Sequence, residues 1–182
     1  MKVLEGKVWK FGDNISTDLL SPGIAGFGKA ATGDSAEFCM AAVRPKFAKE
    51  VRPGDLVVAG RNFGCGSSRP AAKNLITLGV SCVLAESIGA IFFRNSINFG
   101  LPSLTVNGVS DVFKEGDRAM INLRDGLIQN LSNKKSLTIE PFPPEIMRIL
   151  EAGGLVAFLK AEAAQGRLYT QTVVRLKAGI EP

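Results

Sequence analysis

Histidine is missing altogether from the 182 residues. That absence removes histidine zinc sites, Ser-His-Asp triads and Cys-His pairs at once. A general base must then be Asp, Glu, Lys, Tyr, Cys or an activated hydroxyl. The chain has one Trp and one Tyr, and its basic residues are interleaved with acids, which argues against a nucleic-acid stacking platform. The three cysteines, Cys39, Cys65 and Cys82, are odd in number and far apart. They fit a reducing compartment better than a disulfide framework, and their spacing is not that of a metal site. No apolar run is long enough to span a bilayer, the longest lying around residues 89–93. The opening MKVLEGKVWKFGDN turns polar within five residues and does not read as a leader. The expectation is a soluble, cytoplasmic protein with neither membrane nor nucleic acid as partner.

The length suits one sizeable core, and no linker, repeat or low-complexity stretch divides it, so residues 1–182 are read as a single domain. A formal charge of +5 fits attraction to a small carboxylate or phosphate, or to an acidic protein. Residues 5–11 alternate as a strand does and stop at Gly12-Asp13-Asn14. The stretch STDLLSPGIAGFGKAATG, residues 16–33, reads as a long functional loop. Asp34-Ser35 opens a predicted helix running to Glu50 and interrupted near Pro45. Then come a buried strand at 56–59, a helix at 71–78 closed by Gly79, a strand at 80–85, a helix at 86–99 closed by Gly100, and a strand at 101–106. That rhythm predicts an α/β crossover core with parallel strands. Short alternating runs at 118–123, 127–131 and 137–139 predict a β-rich antiparallel flank, followed by a helix at 145–151 and an apolar run at 155–159.

The most informative stretch is Gly60 to Pro70, GRNFGCGSSRP. Glycines between a strand and a helix place the helix N-terminus, with its unpaired N–H groups, at the carboxyl edge of the sheet, which suits an anion. A plainer reading is a capped helix start, with Ser67 or Ser68 as cap and Pro70 in the first turn. That reading leaves Gly64, Gly66 and Arg69 unexplained. The two glycines make a backbone cradle that a ligand can approach closely, and Arg69 offers a planar fork suited to a carboxylate or phosphate. The stretch is neither a Walker loop nor GxGxxG. Cys65 reads as a small filler between glycines, and Cys39 and Cys82 as core residues. A non-catalytic phosphate- or nucleotide-binding module is compatible with the same features, and RNA binding is the reading least supported.

GRNFGCGSSR, with GDNISTD upstream, AESIGAIFFRNSINFGLP downstream and ILEAGGLVAFLK near the end, resembles the small subunit of 3-isopropylmalate dehydratase and its relatives. This is the swivelling β/β/α domain of the aconitase superfamily, and the resemblance covers nearly the whole chain. It implies a hydro-lyase active only with a large subunit, which carries a [4Fe-4S] cluster, while this chain binds none and closes over a small dicarboxylate substrate. Residue by residue, it implies that Ser67 is the catalytic base, that Ser68 and Arg69 hold a substrate carboxylate, and that Asp18 lies at the active-site edge. Two departures stand out. Pro70-Ala71 replaces the Glu-His of many relatives, and Ile24–Lys29 lacks the arginine of the loop that selects the substrate's side group. Phe27, as an apolar pocket wall, and Lys29, as an anion contact, are the candidates in that loop. Isopropylmalate in leucine biosynthesis is the leading substrate, with dimethylmalate, methylmalate or citraconate, and homoaconitate types as alternatives.

Overall fold

A computed structural model describes residues 3–22, 34–66 and 69–167. Its frame is a seven-stranded sheet: β1 (Val3–Lys10), β2 (Leu56–Ala59), β3 (Cys82–Ala85), β4 (Ser103–Thr105), β5 (Arg118–Asn122), β6 (Leu127–Asn130) and β7 (Ser136–Thr138), in the spatial order β4-β3-β2-β1-β5-β6-β7. Strands β1 to β4 pair in parallel, whereas β1, β5, β6 and β7 pair antiparallel. The predicted crossover core and antiparallel flank are thus halves of one sheet, joined at β1.

Period-two alternation assigns the faces. Val57 and Ala59 of β2, Val83 and Ala85 of β3, and Trp9 of β1 enter one core layer. Leu56 and Val58, Cys82 and Leu84, and Leu4 and Val8 enter the other. The first layer is covered by α1 (Thr17–Leu20), α2 (Phe47–Glu50), α3 (Ala71–Thr77) and α4 (Ala90–Phe99), which deliver Leu20, Phe47, Leu75 and Phe92. The second is closed by Val109 of α5 (Val109–Val112), Phe113, and Ile121 and Ile128 of the flank. Helices α6 (Pro144–Glu151) and α7 (Leu155–Ala164) complete the described chain.

Three expectations need correction. The helix predicted over 34–50 is a 3₁₀ turn at Asp34–Phe38 and a separate single turn, α2. Between them Met40 takes a left-handed backbone (φ 62°) and its N–H bonds to Leu19 O at 2.8 Å, which tethers the segment to α1 and breaks any continuous helix. The helix predicted from Glu86 begins at Ala90, because residues 86–89 are used as a loop against neighbouring chain. The helix after the glycine-rich stretch has Pro70 at its N-cap and no side-chain cap. Pro70 was expected in the first turn, and the serines expected to cap the helix, Ser67 and Ser68, lie outside the described residues.

Candidate functional site

The carboxyl ends of β1, β2 and β3 each continue into a loop, and the three loops are laced together. Beyond the sheet the β1–β2 pairing persists in irregular form. Gly60 N–H donates to Gly12 O (3.1 Å), Asn14 N–H to Arg61 O (2.8 Å), Gly64 N–H to Ile15 O (2.7 Å) and Thr17 N–H to Cys65 O (2.8 Å). Side chains reinforce it: Asp13 Oδ1 accepts the Arg61 N–H at 2.6 Å, and Asn62 Nδ2 donates to Asn14 Oδ1 at 2.9 Å. On the other side Asn62 N–H donates to Ser87 Oγ (2.8 Å), Phe63 N–H to Ser87 O (3.0 Å) and Gly89 N–H to Phe63 O (2.8 Å). The glycine-rich stretch is thus held from both flanks.

This lacing brings Asp18, in the first turn of α1, against Arg69, just ahead of α3, and the two form an ion pair through Arg69 Nε. A guanidinium has five N–H donors, so the pair engages one of them. Both side chains are substantially exposed, Asp18 at 63% and Arg69 at 41%, so the pair contributes little to stability. Gly64 and Gly66 carry φ of 72° and 105°. A Cβ on Gly64 would fall among the ring carbons of Phe92, and one on Gly66 would come within 3.1 Å of Thr17 Oγ1. The first glycine lets the chain lie flat on a core aromatic, and the second brings it close against Thr17.

Of the residues singled out in the sequence, Asp18, Gly64, Gly66 and Arg69 therefore meet at one sheet edge, whereas Ser67, Ser68, Phe27 and Lys29 lie outside the described residues. Cys39 and Cys82 are buried as expected. Burial pushes the Cys39 thiol up to about 12, and raises that of Cys82 as well, against the smaller lowering effect of a backbone hydrogen bond at Val83. Cys65 is partly exposed. Among the described residues no three His, Cys, Asp or Glu side chains are grouped to hold a metal ion. None of the described helices is long and apolar enough to cross a membrane.

Sequence reading took Gly12-Asp13-Asn14 only as a strand break and gave no role to Asn62 or Glu86. The signal available was the pair of asparagines in GDN and RNF, since Asn tolerates left-handed backbone better than most residues. Glu86, at the end of β3, accepts from the N–H groups of Gly108 (2.9 Å) and Ser110 (2.8 Å) and so ties down the loop that leads into α5. Partial burial raises its pKa, but the Ser110 and Gly108 N–H groups, the Ser110 hydroxyl and the charge of Arg61 outweigh that and hold it below the usual carboxylate range. A cavity of about 430 Å³ lined by Leu4, Ile76, Val80, Leu101, Met147 and Leu150 opens at the opposite, amino end of the strands and includes none of the candidate residues. The candidate residues lie instead at the carboxyl end of the strands, with Asp18 and Arg69 both partly exposed.

Comparison with known proteins finds relatives of the chain over most of its length. Residues 28–108 match the Aconitase C-terminal domain family. The isopropylmalate/citramalate isomerase small subunit of Methanocaldococcus jannaschii is 43% identical over 166 residues, covering 91% of this chain and 98% of that protein. The 3-isopropylmalate dehydratase small subunit of Wolinella succinogenes is 44% identical over 172 residues, covering 92% and 100%. The methanogen homoaconitase small subunit of Methanothermobacter thermautotrophicus is 43% identical over 157 residues, covering 85% and 89%. Among solved structures, that of a 3-isopropylmalate dehydratase from M. jannaschii superposes with a TM-score of 0.83 at 37% identity, covering 91% of this chain and 98% of that one.

Proposed function

Because the chain belongs to the 3-isopropylmalate dehydratase small-subunit family of the aconitase superfamily, we propose that it is the small subunit of a heteromeric hydro-lyase. It acts in the cytoplasm on a branched hydroxydicarboxylate, with 3-isopropylmalate of leucine biosynthesis as the leading substrate. The observation that carries this reading is the meeting of Asp18 and Arg69, both partly exposed, beside the glycine turn at the carboxyl end of the strands. A partly exposed Arg with a planar fork of donors is suited to one substrate carboxylate, and a site of this kind at the surface is suited to completion by a second subunit.

In this reading the large subunit holds the [4Fe-4S] cluster, which when bound supplies a Lewis acid toward the substrate hydroxyl. This chain does the rest. Arg69 and Ser68 hold a carboxylate, Asp18 keeps the guanidinium oriented, and Ser67 takes the proton from the carbon next to that carboxylate. A hydroxyl is a poor base unless donors stabilise its alkoxide, and the exposed, left-handed Gly66 just before Ser67 presents backbone free of a side chain. Phe27 and Lys29 remain candidates for contact with the substrate's side group. The three relatives, named for isopropylmalate and citramalate, isopropylmalate, and homoaconitate chemistry, are equally distant at 43–44% identity, so the alternative substrates stand beside the leading one. The nucleotide-module alternative loses its support, since dehydratase and isomerase small subunits match the chain over about nine tenths of its length.

The test is reconstitution. The purified chain alone should be inactive, mixing it with its large subunit should yield dehydration of isopropylmalate or of another acid in a panel of these substrates, and Ser67→Ala in that complex should abolish it. Turnover by the isolated chain, or by the Ser67→Ala complex at the wild-type rate, would refute the assignment.

A further inference from the structure

Among the described residues four non-glycine positions have positive φ: Asn14, Met40, Asn62 and Lys134. Two of them, Asn14 (φ 57°) and Asn62 (φ 61°), are hydrogen-bonded to each other across 48 residues of chain. They occupy the two loops that carry Asp18 and Arg69. We propose that Asn14 and Asn62 form a positioning clasp, which fixes the spacing between the Asp18 loop and the Arg69 loop and hence the geometry in which a substrate carboxylate is held. The proposal rests on reading this edge as the dehydratase site.

Strained backbone persists where its surroundings over-determine it, and such residues gather at functional sites. Here the surroundings are explicit. Asn14 N–H is bound to Arg61 O, Asn62 N–H to Ser87 Oγ, and the two side chains meet between them. Just beyond the clasp the next bonds are Gly64 to Ile15 and Thr17 to Cys65, and Asp18 follows Thr17 directly. Both asparagines are exposed, and a solvated amide–amide bond adds little to global stability. Its measurable consequence is therefore alignment, and a small misplacement of a substrate-holding group costs up to a hundredfold in rate.

Asn14→Gly and Asn62→Gly each keep the left-handed backbone accessible while deleting the side-chain bond. In the reconstituted complex each should lower kcat/KM by about tenfold or more, mostly in kcat, with a nearly unchanged melting temperature. The double variant should be no worse than the poorer single, and Asn14→Asp, which retains the acceptor oxygen, should keep wild-type kinetics. In the isolated full chain, either glycine variant should speed amide exchange at Thr17 and Gly64 by about tenfold while leaving β2 protected, a local effect that global destabilisation does not produce. Wild-type kinetics in both single variants, or losses that multiply in the double, would overturn the clasp. Failure of the wild-type complex to dehydrate any of the acids would instead overturn the functional reading. In that case the exchange experiment still decides the clasp, since unchanged protection at Thr17 and Gly64 counts against it.

Discussion

At the scale of single residues, the glycine-rich stretch separates into parts with different duties. Gly64 needs both its left-handed backbone and its missing side chain, because the space a Cβ would occupy is filled by Phe92, itself packed edge-on to Phe63 with centroids 5.2 Å apart. Gly64→Ala should accordingly cost roughly 2–3 kcal/mol, from overpacking together with strained backbone. Thermal melts check this, and a wild-type melting temperature in the variant would contradict the close approach. The cysteines divide just as cleanly. Thiolate is the reactive form, and Cys39 and Cys82 are fully buried with thiols pushed upward, whereas Cys65 is partly exposed. A maleimide reagent near neutral pH should label one cysteine in the folded chain, identifiable by mass spectrometry as Cys65, and all three after denaturation. Labelling of Cys39 or Cys82 in native buffer would mean that the core around them opens far more readily than its packing indicates.

At the scale of elements, what was legible depended on whether local signals agreed. β2, bounded by Asp55 and Gly60 and uniformly β-branched or apolar, falls where the pattern puts it, and α4 ends at Gly100 with φ 83° as a glycine cap requires. The errors fall where long-range bonds outweigh local propensity. The Met40–Leu19 tether breaks the helix expected over 34–50 ahead of the interruption expected near Pro45, and Glu86 sits outside its expected helix because its carboxylate is committed to Gly108 and Ser110. No window of local sequence contains either partner. For Glu86 the commitment predicts a pH effect. Its folded pKa is depressed, so its contribution is present above the ordinary Glu range near 4.3 and is lost as pH falls through the lower folded value. Glu86→Gln, which loses the charge-assisted bonds, should be destabilised by about 1 kcal/mol at pH 7, with the gap to wild type closing as pH drops below about 4. Urea titrations at several pH values measure it, and a gap that is constant with pH would show that the carboxylate charge plays no part.

At the scale of the whole molecule, the sequence revealed both halves of the fold but not their junction. Parallel crossover and antiparallel flank were separately readable from spacing, whereas the pairing of β1 with β2 on one side and β5 on the other depends on contacts 48 residues apart in the first case and more than a hundred in the second. The candidate site was legible as a motif and not as a geometry, because the residues that align its loops carry no reactive chemistry of their own. The continuous sheet supports treating the chain as a single cooperative unit, and this has a direct test. Trp9, the chain's one tryptophan, is buried in the layer beneath α2 and α3, with Nε1 donating to Asp55 at 2.8 Å. Ile128 lies in the other layer, on β6, two strands away from β1. Ile128→Val removes one buried methyl group and should cost ~0.5–1.5 kcal/mol. If β1 couples the halves, tryptophan fluorescence and far-ultraviolet circular dichroism should trace coincident urea transitions in the wild type, and the variant should shift both midpoints equally. If the flank unfolded as a separate unit, the variant would move only part of the dichroism change and leave the Trp9 transition where it was.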